Sequence, residues 1–372
     1  MTERLRRSTA WRAAGLFAAC IALLVAVAAL VAALSVLTGH DPFRALEALW
    51  RGSLGSRYAI LSATLVRATP LILTGLAVTL AFTAGVMNIG AEGQLLAGGA
   101  AAATVDAIAG PAVGRLSVPL ALLGGALAGA GWAFLPAWLR RRFGVLEVIS
   151  TIMMNFVALY MVGYLVRGPL QEPLRIYPQS PAISESARLP IIVSGTRLHL
   201  GFFIALVCGA MLWWALRSTA AGFRVRLLGA NPDAARSAGL IDVGRTAMRA
   251  FLLSGALAGL AGAIEVSGVT YSLYENLSPG YGYTAIAVAL VGSLDPALTV
   301  GSGVLFGALE AGASAMQRDA GVPSVLATVV EASIILLLLG VAALRAPVKR
   351  WRRAFVMRRT ADVVQRAGAE VP

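Results

Sequence analysis

The chain has 372 residues, of which 58% are apolar and only 13% are charged, and its mean hydropathy is +0.78. An ordinary soluble domain carries about 25% charged residues, so this composition excludes a soluble globular protein and indicates a polytopic membrane protein. The net charge of +13 could suggest nucleic-acid binding. However, the basic residues collect in segments that flank the apolar runs, so we predict contact with anionic membrane lipid and no contact with nucleic acid.

Apolar runs recur along almost the whole chain, and a membrane-crossing helix needs about 20 such residues. The first run is longer than the roughly 7–15 residues of a signal-peptide core, so we expect it to stay in the membrane. The predicted fold is an all-α integral membrane protein with about ten transmembrane helices. The predicted spans are 13–37, 60–84, 93–110, 117–139, 146–166, 199–216, 249–270, 283–298, 299–317 and 322–344.

The distribution of basic residues predicts the orientation. With the N-terminus inside, the inner segments hold 21 of the 31 Lys and Arg residues, the outer segments hold 9, and Arg67 lies within a span. This asymmetry predicts that both termini are cytoplasmic. The predicted organisation is a basic cytoplasmic N-tail (1–12), a transmembrane domain (13–345) with a proline-rich external loop (167–198) and a cytoplasmic loop (217–249), and a basic cytoplasmic C-tail (346–372).

The most informative segment is 86–94, where a carboxylate, two amides and glycines interrupt two apolar runs. Polar groups at membrane depth are costly and usually face a cavity or pathway. Glycines there predict a broken helix, which is tolerated only where protein or water covers the backbone. Segment 292–296 interrupts a second apolar run in a similar way, so we predict two interrupted segments and a binding site between two repeats. Chance recurrence in an Ala- and Gly-rich chain is the alternative.

Three side chains of the first interruption are candidates for a substrate pathway. Glu92 could accept hydrogen bonds from a polar substrate, or it could pair with a buried donor and fix the break. Asn88 and Gln94 can each donate and accept hydrogen bonds, as a neutral polar substrate requires.

A second group of candidates lies on the fifth predicted span. Thr151 and Asn155 share one helix face, and Glu147 lies one turn before Thr151. This polar stripe could line the pathway, or it could form hydrogen bonds between helices. Tyr283 could belong to an interfacial aromatic belt or could stack on a nucleobase.

The cytoplasmic loop contains a predicted short helix. Asn231 is a good N-cap, the following proline suits the first helical position, Asp233 complements the helix dipole, and Gly239 is a plausible C′ residue. A helix of about two turns is marginal alone. It either packs under its own bundle or enters a groove of a partner, and the candidate docking residues are Gly229, Asn231, Asp233, Arg236 and Gly239.

Four segments in this order, namely 88–94, 147–155, 229–240 and 283–292, resemble the permease subunit of bacterial ABC importers of the branched-chain amino acid/simple sugar/nucleoside superfamily. The resemblance covers roughly residues 60–345. The first two segments are most similar to the nucleoside branch, whereas the sugar branch typically has a Gly-Gly-Ile-Asp-Leu-type motif at the position of 88–94.

The resemblance implies a subunit of the bacterial cytoplasmic (inner) membrane that forms half of a pathway with a second permease subunit. A lipoprotein or periplasmic binding protein would deliver the substrate, and the 229–240 segment would be the coupling helix that docks on an ABC ATPase subunit. Import of a simple sugar or another small polar solute is one alternative. An ion-coupled secondary transporter, with the carboxylates as coupling sites, is another.

The chain has no P-loop of its own. Such a loop needs a glycine-rich turn before a lysine, and Lys349, the only lysine in the sequence, has no such turn before it. We therefore predict that ATP and Mg²⁺ bind to the separate ATPase subunit. This chain is predicted to be a non-catalytic subunit with no cofactor, metal or catalytic site.

Overall fold

The computed structural model describes residues 35–323 except 238 and 240, together with 25, 28–33, 325, 329, 332 and 333. The regular structure in these residues is helical, apart from two isolated antiparallel bridges. Residues Val31–Ala327 form one compact unit, and the architecture below is that of this unit. In the other unit, Met1–Leu30 with Thr328–Pro372, the Ser333 hydroxyl donates to the Val329 carbonyl at 2.7 Å. The two predicted terminal tails and most of the first and last predicted spans lie outside the described residues.

Eleven helices follow one another between residues 42 and 320 of the described part of the chain, besides two short 3₁₀ turns. They are α1 (Pro42–Ser53), α2 (Arg57–Thr83), α3 (Ala91–Val113), α4 (Ser117–Phe143), α5 (Glu147–Arg167), α6 (Gly201–Ser218), α7 (Ala220–Ala230), α8 (Pro232–Ser237), α9 (Val243–Thr270), α10 (Tyr281–Val291) and α11 (Pro296–Ala320). Two of them include a π-helical stretch, at Ile60–Thr64 in α2 and at Val266–Thr270 in α9.

Six of the described helices are long and apolar enough to cross a membrane: α2, α4 (with the 3₁₀ turn before it), α5, α6, α9 and α11. The extent to which they are buried differs, and the two extremes identify the centre and the edge of the bundle. The most apolar stretches of α2 and α9 are 83% and 72% buried within the chain, whereas those of α4 and α6 are only 22% buried. Thus α2 and α9 form the centre of the bundle, and α4 and α6 lie at its periphery.

Helix α9 packs directly on the peripheral helix α4, and this contact depends on glycine. A Cβ atom added to Gly129 would lie 2.2 Å from the carbonyl oxygen of Gly255 and 2.6 Å from the Cα atom of Gly259. Small residues let helix backbones approach closely and pack in lipid, so the high glycine content is used here to bring two helices into backbone contact.

The predicted continuous span 283–298 is wrong, because α10 has only 11 residues and ends at Val291. At about 1.5 Å per residue it covers roughly half of a bilayer core. The chain then turns through Ser293 and Leu294, which both have positive φ angles. Asp295 caps α11 by accepting from the Ala297 N–H at 3.0 Å, so the interruption predicted at 292–296 is present as a break between two helices.

Helix α9 begins at Val243, six residues before the predicted start of its span. The Asp242 carboxylate caps it by accepting from the Arg245 N–H at 2.8 Å. The arginines of its first two turns hid this start in the hydropathy pattern. The loop predicted to be cytoplasmic is therefore shorter than 217–249, and it holds two helices, α7 and α8, where the sequence predicted one.

The proline-rich segment between α5 and α6 is irregular, as predicted, but it is anchored to the bundle. The Asp106 carboxylate of α3 accepts from the Ser184 N–H at 2.8 Å and from the Ser184 hydroxyl at 2.5 Å. The Leu189 N–H donates to the Ser267 carbonyl at 2.8 Å. This segment thus covers the ends of α3 and α9.

Candidate translocation and docking sites

Two amides close the break between α2 and α3. The Asn88 and Gln94 side chains hydrogen-bond each other in both directions at 3.0 Å. The Asn88 amide also donates to the Ser254 hydroxyl at 2.9 Å, and that hydroxyl donates to the Ala77 carbonyl at 2.8 Å. All these side chains are buried, so the two candidate pathway amides are used to join the break to α2 and α9.

Glu92 lies where the first turns of two helices meet. Its carboxylate accepts from the Gly282 N–H of α10 at 2.7 Å. A Cβ atom on Gly282 would lie 2.1 Å from the Glu92 nitrogen, so only glycine fits there. The positive ends of two helix dipoles surround the carboxylate. This is the buried-donor arrangement, one of the two alternatives for Glu92, and its contact with substrate stays a prediction.

Asn155 of α5 bridges the break between α2 and α3 and the first turn of α10. Its oxygen accepts from the Gly93 N–H at 2.9 Å, and its nitrogen donates to the Ile89 carbonyl at 3.0 Å. The same nitrogen lies 3.4 Å from the Tyr283 hydroxyl. Asn155 therefore replaces the backbone partners that the broken helix lacks, and it holds α10 nearby.

Glu147 connects the start of α5 to the same break. One carboxylate oxygen accepts from the Met87 N–H at 2.8 Å, and the other forms an ion pair with Arg140 at the end of α4. The Thr151 hydroxyl donates to the Glu147 carbonyl at 2.7 Å. The predicted polar stripe on α5 is thus present, and it faces the break.

Six of the seven candidate pathway residues are buried, and Tyr283 is the exception, with 45% of its surface exposed. Met87 lies in the break and is also exposed. A role for the buried six in the pathway stays a prediction.

The predicted short helix of the cytoplasmic loop is present as α8 (Pro232–Ser237). The Asn231 side chain accepts from the Asp233 and Ala234 N–H groups at 3.1 and 2.9 Å, which confirms it as the N-cap. Gly239 has a φ of +64°, as a C′ residue requires. Asp233 and Arg236 are exposed and pair at 3.3 Å, so both side chains are open to a partner.

Gly229 has a contact that the sequence did not predict. It is near the end of α7, and a Cβ atom on it would lie 2.0 Å from the Thr83 carbonyl oxygen and 3.0 Å from the Gly85 nitrogen. Helix α7 therefore touches the end of α2 and the start of the break directly.

Sequence reasoning missed three residues of the site. Ser254 is one of four hydroxyl residues in the Ala- and Gly-rich helix α9, and nothing in the sequence distinguished it from the other three. Gly282 lies between two tyrosines just before an apolar run, so its close packing was readable only as a loop glycine. Arg140 was counted as a topology signal, and its pairing with Glu147 was not predicted.

Comparison with known proteins identifies the family of the chain. Residues 60–340 match the family described as branched-chain amino acid transport system / permease component. No solved structure matches the chain.

Three relatives are similar over most of their length. The chain is 40% identical to the guanosine ABC transporter permease protein NupP of Bacillus subtilis, over 85% of this chain and 90% of that protein. It is 38% identical to the glucose ABC transporter permease protein TsgB13 of Haloferax volcanii, over 80% of each. It is 33% identical to the nucleoside ABC transporter permease protein NupB of Lactococcus lactis subsp. cremoris, over 80% of this chain and 83% of that protein.

Each of these three organisms has a second, less similar relative with a matching name, and two of them serve as examples. NupQ of B. subtilis is also named as a guanosine permease protein and is 27% identical, and NupC of L. lactis is also named as a nucleoside permease protein and is 28% identical. The family match covers most of the chain, and the described residues include six apolar helices of spanning length. The chain is therefore a multi-pass membrane protein that belongs to the permease-component family of branched-chain amino acid transport systems.

Proposed function

We propose that this chain is the transmembrane permease subunit of an ATP-driven importer for nucleosides. The observation that carries the proposal is its similarity, over most of both chains, to permeases named for guanosine and for nucleosides. A simple sugar is the second candidate substrate, favoured by the 38% identity to a permease named for glucose. Segment 88–94 lacks the Gly-Gly-Ile-Asp-Leu-type motif of the sugar branch, which favours nucleosides.

We also propose ten spans with both termini cytoplasmic in a bacterial inner membrane. Helix α3 (Ala91–Val113) and the half-helix α10 (Tyr281–Val291) join the six long apolar helices, and the first and last predicted spans complete the count. The asymmetry of basic residues supports this orientation.

The half of the translocation pathway that this chain forms is proposed to lie along α10. This helix ends in irregular backbone on both sides, next to the break between α2 and α3. Broken helices at membrane depth need cover from protein or from a water-filled cavity. Tyr283 and Met87 are exposed there, so this face should lie against the second permease and the pathway, with Tyr283 on its wall. The pairs NupP with NupQ and NupB with NupC support a second permease.

Power for transport would come from a separate ATPase subunit that binds ATP and Mg²⁺ and docks on α8. Its exposed Asp233 and Arg236 would contact that partner, and a binding protein would deliver the substrate outside. In this scheme the chain forms a passage and carries out no chemistry itself.

Reconstitution tests the class and the substrate together. The chain is placed in proteoliposomes with the second permease, the ATPase and the binding protein, and uptake of labelled guanosine is measured. We expect uptake that requires ATP, survives an uncoupler, and is inhibited by excess unlabelled nucleoside and not by glucose. Uptake without ATP that an uncoupler abolishes would replace the proposal with an ion-coupled transporter, and inhibition by glucose alone would select the sugar alternative.

Docking is tested with Arg236→Glu, which reverses a charge on α8. Loss of a charged contact at a protein interface costs a few kcal/mol, so uptake should fall about tenfold or more while the yield of folded chain is unchanged. Arg115→Glu is the matched control because Arg115 is exposed between α3 and α4, at the predicted outer face. Equal uptake by both variants would remove α8 as the docking element.

A further inference from the structure

A cavity of about 480 Å³ lies where the ends of α4 and α8 meet the starts of α5 and α9. By the basic-residue pattern this is the cytoplasmic side of the bundle. Its size falls within the range of small-molecule sites, which are mostly apolar with a few convergent polar groups. Its guanidinium groups come from Arg140, Arg141 and Arg236, and its apolar wall includes Ile241, Met248 and Phe251.

Not all of the positive charge in this cavity is neutralised by neighbouring carboxylates. Arg140 pairs with Glu147, and Arg236 pairs with Asp233 at 3.3 Å. Arg141 takes part in no salt bridge with the residues that the structure describes.

Arg141 affects the pKa of Asp242, a carboxylate that lines the same cavity. The hydrogen bond from the Arg245 N–H lowers the pKa of Asp242, and the charges of Arg245 and Arg141 lower it further. The Arg245 guanidinium already pairs with this carboxylate at 3.1 Å. Arg141 is therefore available to an anion from outside the chain.

We propose that this cavity binds the phosphate group of an organic phosphate. Guanidinium groups match phosphate oxygens in geometry and charge, and the apolar wall fits the uncharged body of such a molecule. A soluble nucleoside monophosphate and the headgroup of an anionic phospholipid share this chemistry, and the cavity is placed where either can reach it.

Because of the position of the cavity, a ligand bound there affects transport, and this inference rests on the proposed function. A phosphate on Arg140 competes with Glu147, whose other oxygen holds the Met87 N–H of the break. The same phosphate reaches Arg236 of α8. The ligand thus joins the docking helix to the break, and the concentration of a cytosolic phosphate or the lipid composition regulates import.

Binding is tested on the full chain alone, so that the nucleotide sites of an ATPase do not interfere and the result is independent of transport. The chain is purified in nanodiscs of phosphatidylcholine, and uridine monophosphate, inorganic phosphate and uridine are titrated against its intrinsic fluorescence and thermal stability. A second set of nanodiscs contains phosphatidylglycerol. Arg141→Gln removes the unpaired guanidinium, and Arg142→Gln is the matched control, because Arg142 is the next residue and does not line the cavity.

We expect saturable binding of uridine monophosphate, weaker binding of inorganic phosphate and none of uridine. Arg141→Gln should weaken the affinity about tenfold, as expected for one charged hydrogen-bonding group, and Arg142→Gln should not. A stability gain in phosphatidylglycerol that Arg141→Gln removes, without binding of uridine monophosphate, would assign the phosphate to lipid. Absence of both effects, or equal losses in the two variants, would overturn the proposal, and transport could remain intact in either case.

Discussion

Replacement of Gly282 by alanine tests the contact between the two helix starts at Glu92. The new methyl group would lie 2.1 Å from the Glu92 nitrogen and 2.4 Å from its Cα atom, whereas ordinary contact begins at 3.4 Å. The two backbones would have to separate by more than about 1 Å, because both atoms are backbone and cannot rotate away. That separation breaks the 2.7 Å hydrogen bond from the Gly282 N–H to the carboxylate.

The cost has two parts. Overpacking of a tight site costs about 1–3 kcal/mol, and loss of a hydrogen bond to a charged group costs about 1.5–3 kcal/mol. We therefore expect Gly282→Ala to lower the free energy of unfolding by roughly 3–5 kcal/mol. The entropy of unfolding is about 2.1 cal/mol/K per residue, which is about 0.8 kcal/mol/K for 372 residues, so the apparent Tm falls by about 5 °C.

The assay is the loss of monodisperse protein on heating in detergent, measured by size-exclusion chromatography. Gly301→Ala is the matched control, because Gly301 lies in α11 and a Cβ atom there would meet nothing within 4 Å. Its Tm should be unchanged or slightly raised, since alanine favours helix over glycine. If Gly282→Ala were as stable as Gly301→Ala, the close meeting of α3 and α10 would be refuted.

Three further predictions concern polar groups of the site. Ser254→Ala leaves the Asn88 amide without one acceptor and should lower the free energy of unfolding by about 1–2 kcal/mol. Ser302→Ala is the control and should cost little, because the buried Ser302 hydroxyl has no partner among the described residues. Equal Tm values for the two variants would contradict this difference. Glu147→Gln keeps an acceptor for the Met87 N–H of the break and loses the ion pair, so it should retain more uptake and stability than Glu147→Ala. Equal losses in the two variants would show that the ion pair, which both lack, matters and the acceptor does not. Asn231→Ala removes the cap of α8 and should cost about 1 kcal/mol of local helix stability, which is measured as faster proteolysis of the 219–242 loop. Asn231→Asp keeps a capping side chain and should be cleaved as slowly as the parent protein. Equal cleavage rates of the parent and the two variants would argue against the cap.

The local signals of the sequence predicted several elements well. Asn231 and Pro232 predicted the start of α8, because capping and proline preferences act within one turn. The interruption at 86–94 was recognisable because polar groups and glycines are rare in apolar runs. These features need no knowledge of distant contacts.

The partners of the site could not be predicted, because they depend on contacts far apart in sequence. Gly282 bonds Glu92 across 190 positions, and Ser254 bonds Asn88 across 166. The 11-residue length of α10 was also hidden, since its apolar residues continue into the next helix and hydropathy cannot detect a turn made of Ser293 and Leu294. Similarly, Glu92 alone could indicate either a substrate contact or a buried pair, and its hydrogen bond to the start of α10 becomes apparent only from the packing of that helix.

The approach of Gly229 to the Thr83 carbonyl has a mechanical consequence. With no side chain between the two backbones, there is no soft layer that could deform and absorb a displacement. A shift of α7 by even an ångström must therefore move the C-terminal end of α2, and with it the first residues of the break. A displacement of the 219–242 loop is thus passed on directly to the membrane-spanning bundle.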